Sequence, residues 1–295
     1  MNKVKIITDS CSDLNAEQLE RYGIAYAKMT TVYKGEETPA LLTWEYDEVK
    51  KLYDIMRGGD RITTAQVSVG EFRSVFGKYL SEGFDIVYIG CSSKQSGSVN
   101  TAFVTANSLY AEYPDRKIVC IDSLNASMGE GMLAIEAAKL AEDGLGADEI
   151  EKRIVGIRKT VNQFVTVHSL DALRRAGRVK GAAAFFGNLM GVKPIIISDL
   201  NGEQTPIKKV KGRQNSLKGI VELLKEAIVE PEKQTVYLTH ADCDMAEVEA
   251  LVELIKAEIP CLGVEIGYIG PIIGASIGPD AIGIWGFGKP VTFAV

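Results

Sequence analysis

The sequence predicts an α/β protein built from two domains. In the first half of the chain, short β-rich runs alternate with amphipathic helical patterns, which is typical of crossover connections between parallel strands. The 295 residues suffice for one large α/β domain or two ordinary ones, and we favour two. We place an N-terminal α/β domain with a mostly parallel sheet and flanking helices at residues 1–161, and a C-terminal α/β domain at residues 162–295.

Three apolar runs in the first half predict buried strands. They are Val4–Thr8, Phe84–Ile89 and Lys117–Ile121. The last two are continuous rather than alternating, as expected of strands covered on both faces. Small polar residues follow each run, and in open parallel sheets ligands bind outside the carboxyl ends of the strands. The three strand ends therefore predict one shared crevice, although loop polarity and helix capping would also account for each of them.

Capping signals place helices between these strands. Asn15 and Gln18 are spaced as a capping box, and Ser68 with Glu71 forms a second one. We expect Thr43 to cap a third helix. The helices predicted in this half are Asn15–Tyr22, Trp44–Arg57, one beginning after Ser68, Val99–Tyr110, Gly131–Asp143 and Asp148–Thr160.

The second half continues the mixture of strands and helices. The predicted strands are Phe164–Val167, Pro194–Ser198, Thr235–Thr239 and a Gly-rich run at the C-terminus. The predicted helices are Leu170–Arg175, Ser216–Ile228 and Met245–Glu258, with an Ala-rich stretch at Ala182–Leu189. The dipeptide Asn201-Gly202 indicates a hairpin after the second of these strands.

Composition excludes several classes of protein. The net charge of −6 argues against general attraction to nucleic acid or to anionic membranes, which requires a broad basic face. The chain begins without an apolar leader, and no apolar stretch reaches about 18 residues without a polar break. Five cysteines with no C-x-x-C pair fit a reducing compartment. We therefore expect a cytoplasmic protein without a transmembrane segment.

The segment Ser92–Ser98 predicts an anion site. It leaves a buried strand and leads directly into a helical pattern, so the free N–H groups and the positive dipole end of a helix would face a carboxylate or phosphate. Gly97 would let the ligand approach the backbone closely. Thr64 precedes another capped helix and offers a further hydroxyl. Plain helix capping by Ser96 or Ser98 is the alternative interpretation.

The sequence is compatible with two roles for each of two apolar segments and two basic clusters. Ala182–Met190 and Ile269–Gly274 mix bulky and small apolar residues, which suits a slot for an apolar tail or ordinary core packing. The basic clusters would dock phosphate or an acidic partner, or would form solvated faces. One contains Arg174, Arg175 and Arg178, and the other contains Lys208, Lys209, Lys211 and Arg213.

Catalytic and metal-binding patterns are weak. An acyl-transfer or ester-hydrolysing enzyme would use Ser96 or Cys91 as its nucleophile, but no motif ties either residue to His168 or His240 as a base. Two histidines and scattered cysteines show no zinc-binding spacing. We expect no catalytic residue, no cofactor and no metal.

Short motifs follow one another along essentially the whole chain in a family-specific order. They are Ile7-Thr8-Asp9-Ser10 with Asp13-Leu14, Thr64-Ala65-Gln66-Val67-Ser68 with Gly70-Glu71-Phe72, Ser92–Ser98, Asp122-Ser123 with Gly129 and Gly131, Leu173–Arg178, and Gly187-Asn188-Leu189 with Lys193-Pro194-Ile195. Together they resemble the DegV family of bacterial lipid-binding proteins, which includes the fatty-acid-binding subunits of bacterial fatty acid kinase.

The resemblance implies two α/β domains with one long-chain fatty acid between them. Its carboxylate would be bound by Thr64, Ser96 and Gly97, the residues already placed beside an anion. Family members that serve a kinase present the acyl group for phosphorylation, and the kinase supplies the catalytic apparatus. The resemblance thus implies a lipid-binding protein that is not catalytic alone and has a fatty acid kinase as a possible partner.

This chain departs from the family pattern near the expected carboxylate site. Where many members have a histidine in G-x-H-x-G-P-G, this chain has Ser276, which we keep as a ligand-binding residue. In the T-S-Q-P-S segment, Ala65 replaces the first serine and Val67 replaces the proline. These changes affect the kinase partnership more than they affect lipid binding. The sequence leaves open the length and unsaturation of the lipid, and the oligomeric state.

Overall fold

The computed structural model describes residues 3–168, 171–179 and 191–294, which form an α/β structure of the predicted class. The strands are β1 (Val4–Asp9), β2 (Ala25–Ala27), β3 (Thr30–Tyr33), β4 (Glu36–Pro39), β5 (Thr63–Ala65), β6 (Asp85–Gly90), β7 (Ile118–Asp122), β8 (Val161–Thr166), β9 (Val192–Ser198), β10 (Gln204–Lys211), β11 (Thr235–His240), β12 (Gly263–Tyr268) and β13 (Ile282–Phe287).

The helices connect these strands and cover the faces of the sheets. They are α1 (Ala16–Arg21), α2 (Tyr46–Arg57), α3 (Val69–Ser81), α4 (Ser98–Leu109), α5 (Met128–Glu142), α6 (Ala147–Ile157), α7 (Asp171–Ala176), α8 (Arg213–Ala227), α9 (Met245–Glu258) and α10 (Pro271–Ile277). The predicted Ala-rich stretch at Ala182–Leu189 lies outside the described residues. None of the helices in the described ranges is long and apolar enough to cross a membrane.

The first sheet is parallel, with strand order β2-β1-β6-β7. Strand β6, one of its two inner strands, is buried along its whole length, and its side chains alternate between two apolar layers. Val87 and Ile89 pack in the layer of α1, α5 and α6. Ile86 and Tyr88 pack on the other face, against α3 and α4. This arrangement confirms the predicted sheet with helices on both faces.

The second sheet has the order β10-β9-β8-β13-β11-β12 and is mostly antiparallel. Only the pair β11 and β12 is parallel among its described pairings. Phe164, Ile195 and Ile284 pack on one face, in the layer of α8 and α9. Val165 and Trp285 point the opposite way and join the apolar layer that also contains residues of the first sheet. The two sheets therefore share one continuous apolar layer.

The predicted hairpin at Asn201-Gly202 is confirmed by the antiparallel pairing of β9 with β10. Ser198 pairs with Gln204 across the turn, and Gly202 adopts φ 83°, a conformation that favours glycine. The first sheet ends at Asp122 and the second begins at Val161, with α5 and α6 between them. The domain boundary predicted after residue 161 falls at this change of sheet and stays a prediction.

Three predicted helix starts are wrong, and one of them is that of α8, which begins at Arg213 rather than Ser216. Glu45, not Thr43, is the N-cap of α2, because the Glu48 carboxylate accepts a hydrogen bond from the Glu45 N–H at 2.9 Å. Helix α5 begins at Met128 rather than Gly131. Glycine weakens helices in general, but a Cβ at Gly131 would lie 2.6 Å from the carbonyl oxygen of Ser12, so close packing requires it there.

A small third sheet was not predicted. Its antiparallel strands lie in the order β4-β3-β5 and contain three or four residues each. Such short strands leave no alternating pattern in the sequence. Strand β5 carries Thr64, which pairs with Thr31 of β3, so this sheet holds one of the predicted ligand-binding residues in place.

Candidate functional site

A cavity of about 370 Å³ lies between the two large sheets. Its volume falls within the range of about 300 to 1,000 Å³ typical of small-molecule sites. The first half of the chain contributes β5 and the loops after β1 and β6, and the second half contributes α7, α10 and strands β8, β9, β10 and β13. The crevice predicted at the carboxyl ends of the parallel strands therefore exists, and the second sheet closes it.

All four residues predicted to bind a ligand line this cavity. Thr64 lies on β5, Ser96 and Gly97 lie between β6 and α4, and Ser276 lies in the last turns of α10. They come from three separate parts of the chain. The structure thus brings the four residues together around one space.

Ser96 takes part in a chain of hydroxyl contacts at the start of α4. Its Oγ accepts a hydrogen bond from the Ser98 N–H at 3.2 Å and lies 2.9 Å from the Ser98 Oγ. The Ser98 Oγ in turn accepts from the Val67 N–H at 3.2 Å. The N-cap of α4 is Gly97 rather than either serine. When Ser98 donates to Ser96, the Ser96 hydroxyl keeps its own proton for another acceptor.

Gly97 leaves room for the end of the Gln66 side chain. A Cβ at Gly97 would lie 2.0 Å from the Oε1 atom of Gln66, which also lines the cavity. The Gln66 side chain is held by a hydrogen bond of 2.8 Å from its Nε2 atom to the Thr101 Oγ1. A side chain at position 97 would therefore displace Gln66.

The opposite wall comes from one face of the second sheet. Val165 pairs with Ile196 on one side and with Gly283 on the other, and Gln163 pairs with Trp285. Val165, Ile196 and Trp285 line the cavity and give it an apolar surface. Sequence reasoning missed these residues, because a strand buried on both faces does not show which face meets a ligand.

A pair of amides lies within this apolar wall. Gln163 Nε2 donates to Gln204 Oε1 at 2.6 Å, and Gln204 Nε2 donates to Ser198 Oγ at 2.7 Å. Both glutamines line the cavity. In the sequence, the signal for this pair is a glutamine directly before the β-rich run Phe164–Val167.

A smaller hollow of about 190 Å³ adjoins the cavity and shares Thr64, Arg178 and Ser276 with it. Arg61 and Arg175 also line the hollow. Arg178 Nε donates to the Gln95 carbonyl oxygen at 2.9 Å, which holds this arginine at the border of the two spaces. One of the predicted basic clusters thus lies beside the candidate anion site. In the other cluster, Arg213 is paired with Glu247 at 2.6 Å.

Three buried carboxyl groups lie at the end of β1, in the loop after it and in the first turn of α5. Burial raises the pKa of Asp9 and holds that of Glu130 well above its usual range. Burial also raises the pKa of Asp13 to about 7. The Oδ1 atom of Asp13 accepts from the Gly270 N–H at 2.8 Å, and its Oδ2 atom accepts from the Ser127 hydroxyl. Asp13 therefore connects the first sheet to the start of α10.

The contacts of the two histidines do not assemble a nucleophile and base with Ser96 or Cys91. His240 Nδ1 accepts from the Cys243 N–H at 3.2 Å, and its ring packs 4.9 Å from the ring of Tyr268. Burial lowers the pKa of His240 to about 4. His168 is exposed, and its carbonyl oxygen accepts from Lys193 Nζ. These contacts give no support to the hydrolase interpretation.

Comparison with known proteins decides the family. The sequence model of the DegV family, described as uncharacterised proteins, matches residues 3–288. The chain belongs to the DegV family. A DegV domain-containing protein of Clostridium perfringens is 32% identical over 288 residues, which cover 98% of each chain.

Solved structures of the DegV family share the fold. A DegV lipid-binding protein of Thermotoga maritima superposes with a TM-score of 0.85 at 27% identity, covering 98% of this chain and 100% of the other. DegV of Bacillus subtilis, described as a fatty-acid-binding protein, gives a TM-score of 0.84 at 26% identity, covering 97% and 100%. These similarities confirm the family and the α/β fold predicted from the sequence motifs.

Proposed function

We propose that this protein binds one long-chain fatty acid in the cavity between its sheets, with the carboxylate held by Thr64, Ser96, Gly97 and Ser276. The observation that carries the proposal is the convergence of these four residues on a single cavity that has an apolar opposite wall. Similarity to family members described as lipid-binding and fatty-acid-binding proteins supports it. We infer that the protein is not catalytic alone and acts in the cytoplasm, where its five free thiols would stay reduced.

The tail supplies most of the binding free energy in this account. Burying about 14 methylene groups at about 0.8 kcal/mol each contributes on the order of 11 kcal/mol before ordering costs. Val165, Ile196 and Trp285 provide the apolar surface that receives the chain. Each hydrogen bond to the carboxylate adds about 1.5 to 3 kcal/mol. The tail therefore sets the affinity, and the polar groups fix where the head lies.

The head site combines hydroxyl donors with a helix terminus. Ser96 has a proton free for an acceptor when Ser98 donates to it, and Thr64 and Ser276 add hydroxyls from other elements. The twelve-residue helix α4 begins at Ser98, so its positive dipole end faces the same region. A carboxylate is the ligand group best matched to this set.

The test compares fatty acids with fatty alcohols of the same chain length. We expect Ser96→Ala and Thr64→Val each to weaken binding of the acid by about 1 to 3 kcal/mol, because a buried charged oxygen loses a donor. Binding of the alcohol should fall less. Isothermal titration calorimetry measures both, with Ser81→Ala on the exposed end of α3 as the matched control. Equal losses for acid and alcohol would show that the hydroxyls serve packing instead.

We further propose that the bound head group can be presented to a separate fatty acid kinase. The hollow lined by Arg61, Arg175 and Arg178 supports this, because it adjoins Thr64 and Ser276 and offers guanidinium groups suited to an incoming phosphate. Where many members of the family have a histidine, Ser276 offers a hydroxyl that can form a hydrogen bond but carries no charge. We therefore expect this protein to be a poor partner for a kinase adapted to the histidine form. Because serine does not titrate, we also expect little pH dependence of fatty acid binding from position 276 between about pH 6 and 8.

The variant Ser276→His tests this second proposal. Acyl-phosphate formation with a fatty acid kinase from the same organism should rise in the variant, while fatty acid affinity stays within about threefold. If the unchanged protein supports phosphorylation as well as the variant does, Ser276 is a neutral replacement and the expected loss is wrong.

A further inference from the structure

Two thiols and a carboxylate converge at the wall of the cavity. Cys11, Cys91 and Glu130 each place one sulfur or oxygen atom within 4.8 Å of the other two. They are 2%, 1% and 0% exposed, so the cluster is shielded from bulk solvent. The residues come from the loop after β1, the loop after β6 and the first turn of α5, which the parallel sheet holds side by side.

A thioether completes the set. The Met29 sulfur lies 3.4 Å from the Cys11 sulfur. Cys11, Cys91 and Met29 all line the cavity, which gives small solutes a route to the sulfur atoms. Glu130 contributes a hard oxygen atom beside the three soft sulfur atoms.

The carboxylate of Glu130 is only half satisfied by its neighbours. Its Oε1 atom accepts from the Thr8 hydroxyl at 2.7 Å and from the Asp9 N–H at 3.4 Å. Within the described part of the chain, its buried Oε2 atom has no hydrogen-bond partner. Buried cysteines alone pack well as small apolar groups, but an unpartnered carboxylate oxygen beside them needs an explanation.

We propose that Cys11, Cys91 and Glu130 form a binding site for a thiophilic divalent cation, with Zn²⁺ as the ion of best fit and Met29 as a weak further ligand. Thiolate and carboxylate are both established zinc ligands, and two thiolates with one carboxylate leave a fourth position on the cavity side. On binding, the two thiols and the Glu130 carboxyl group release their protons to solvent, and each of the three forms one bond to the metal ion. The two positive charges of the ion then offset two of the three negative charges of its ligands in the buried site.

The first test uses the reduced, lipid-free protein and needs no variant. Zn²⁺, titrated against a chromophoric chelator, should bind at one ion per chain and protect Cys11 and Cys91 from alkylation, as located by peptide mass spectrometry. Cd²⁺ in place of Zn²⁺ should give a thiolate-to-metal charge-transfer band. No Zn²⁺ taken from the chelator, or no charge-transfer band with Cd²⁺, would overturn the proposal.

Variants then assign the ligands. Cys11→Ser and Cys91→Ser should each weaken Zn²⁺ binding at least tenfold, and Glu130→Gln should weaken it by a smaller factor. Cys120→Ser on β7 is the matched control, because Cys120 is half-buried and lies outside the cluster; it should bind as the unchanged protein does. Circular dichroism checks that each variant is folded. Folded variants at positions 11 and 91 that bind Zn²⁺ unchanged would contradict the assignment.

Discussion

The two large sheets reach the same cavity by different means. The parallel sheet contributes loop residues beyond its strand ends, such as Cys11, Ser96 and Gly97. The mostly antiparallel sheet contributes side chains from the strands themselves, such as Val165 and Trp285. Loops can offer backbone N–H groups and hydroxyls, whereas a paired strand uses its backbone in the ladder and offers only side chains. The first sheet is therefore suited to a polar head and the second to an apolar tail.

This difference predicts that truncations in the second sheet affect stability most. Trp285 is 1% exposed and lies in the apolar layer shared by both sheets. We expect Trp285→Ala to lower the free energy of unfolding by about 3 to 5 kcal/mol, because the vacated space cannot collapse fully. The enlarged cavity should also accept bulkier acyl chains. Urea unfolding measures the first effect, and competition binding with branched fatty acids measures the second.

Trp44→Ala supplies the control for that comparison. Trp44 is half-buried beside the shared apolar layer and does not line the cavity within the described residues. Its loss should lower the free energy of unfolding by less and leave the preference among acyl chains unchanged. If both substitutions lowered the free energy of unfolding equally, the claim that truncations in the second sheet affect stability most would be wrong.

We expect the free energy of unfolding to depend on pH through Asp13, which connects the loop after β1 to the start of α10. Burial raises the pKa of Asp13 to about 7 in the folded protein, against about 3.9 in an unfolded chain. Below about pH 4 both states hold the proton, and as the pH rises toward 7 only the unfolded chain releases it fully. The free energy of unfolding therefore falls across that window, by an amount of the order of a few kcal/mol.

Asp13→Asn isolates this contribution. Asparagine does not ionise, so the fall in the free energy of unfolding between about pH 4 and 7 should become shallower. Asp9 and Glu130, whose pKa values burial also raises, will retain part of the slope. Urea unfolding at several pH values gives the measurement, and Asp115→Asn at an exposed position serves as the control. An unchanged slope in Asp13→Asn would show that Asp13 is ionised in the folded protein.

The smallest change in stability is expected for a substitution in the loop after β6. Gly97→Ala should displace the end of the Gln66 side chain, at a cost of about 1 kcal/mol for the lost hydrogen bond to Thr101. Fatty acid affinity should fall as well, because Gln66 and the new methyl group both face the cavity. Gly77→Ala inside α3 is the matched control, since a Cβ there meets nothing within 4 Å. It should leave affinity unchanged and raise stability by up to about 1 kcal/mol.

The same difference between the sheets explains what the sequence could predict. The predicted strands Phe84–Ile89 and Lys117–Ile121 match β6 and β7 closely. The strand ends predicted a crevice, and the helix predicted to start after Ser92–Ser98 placed Ser96 and Gly97 beside an anion. No comparable rule says which face of an antiparallel strand meets a ligand, so Val165 and Trp285 were missed. The sequence also did not predict the cluster of Cys11, Cys91 and Glu130, because these residues are far apart in the chain and only the fold brings them together.

Recovery of the bound lipid tests the central claim most directly. The reduced protein, purified under native conditions, is examined by native mass spectrometry and then extracted with organic solvent. We predict one unmodified long-chain fatty acid per chain, released when the protein unfolds. Recovery of no lipid, together with hydrolysis of acyl esters that is lost in Ser96→Ala, would contradict the account and favour an acyl-hydrolysing enzyme.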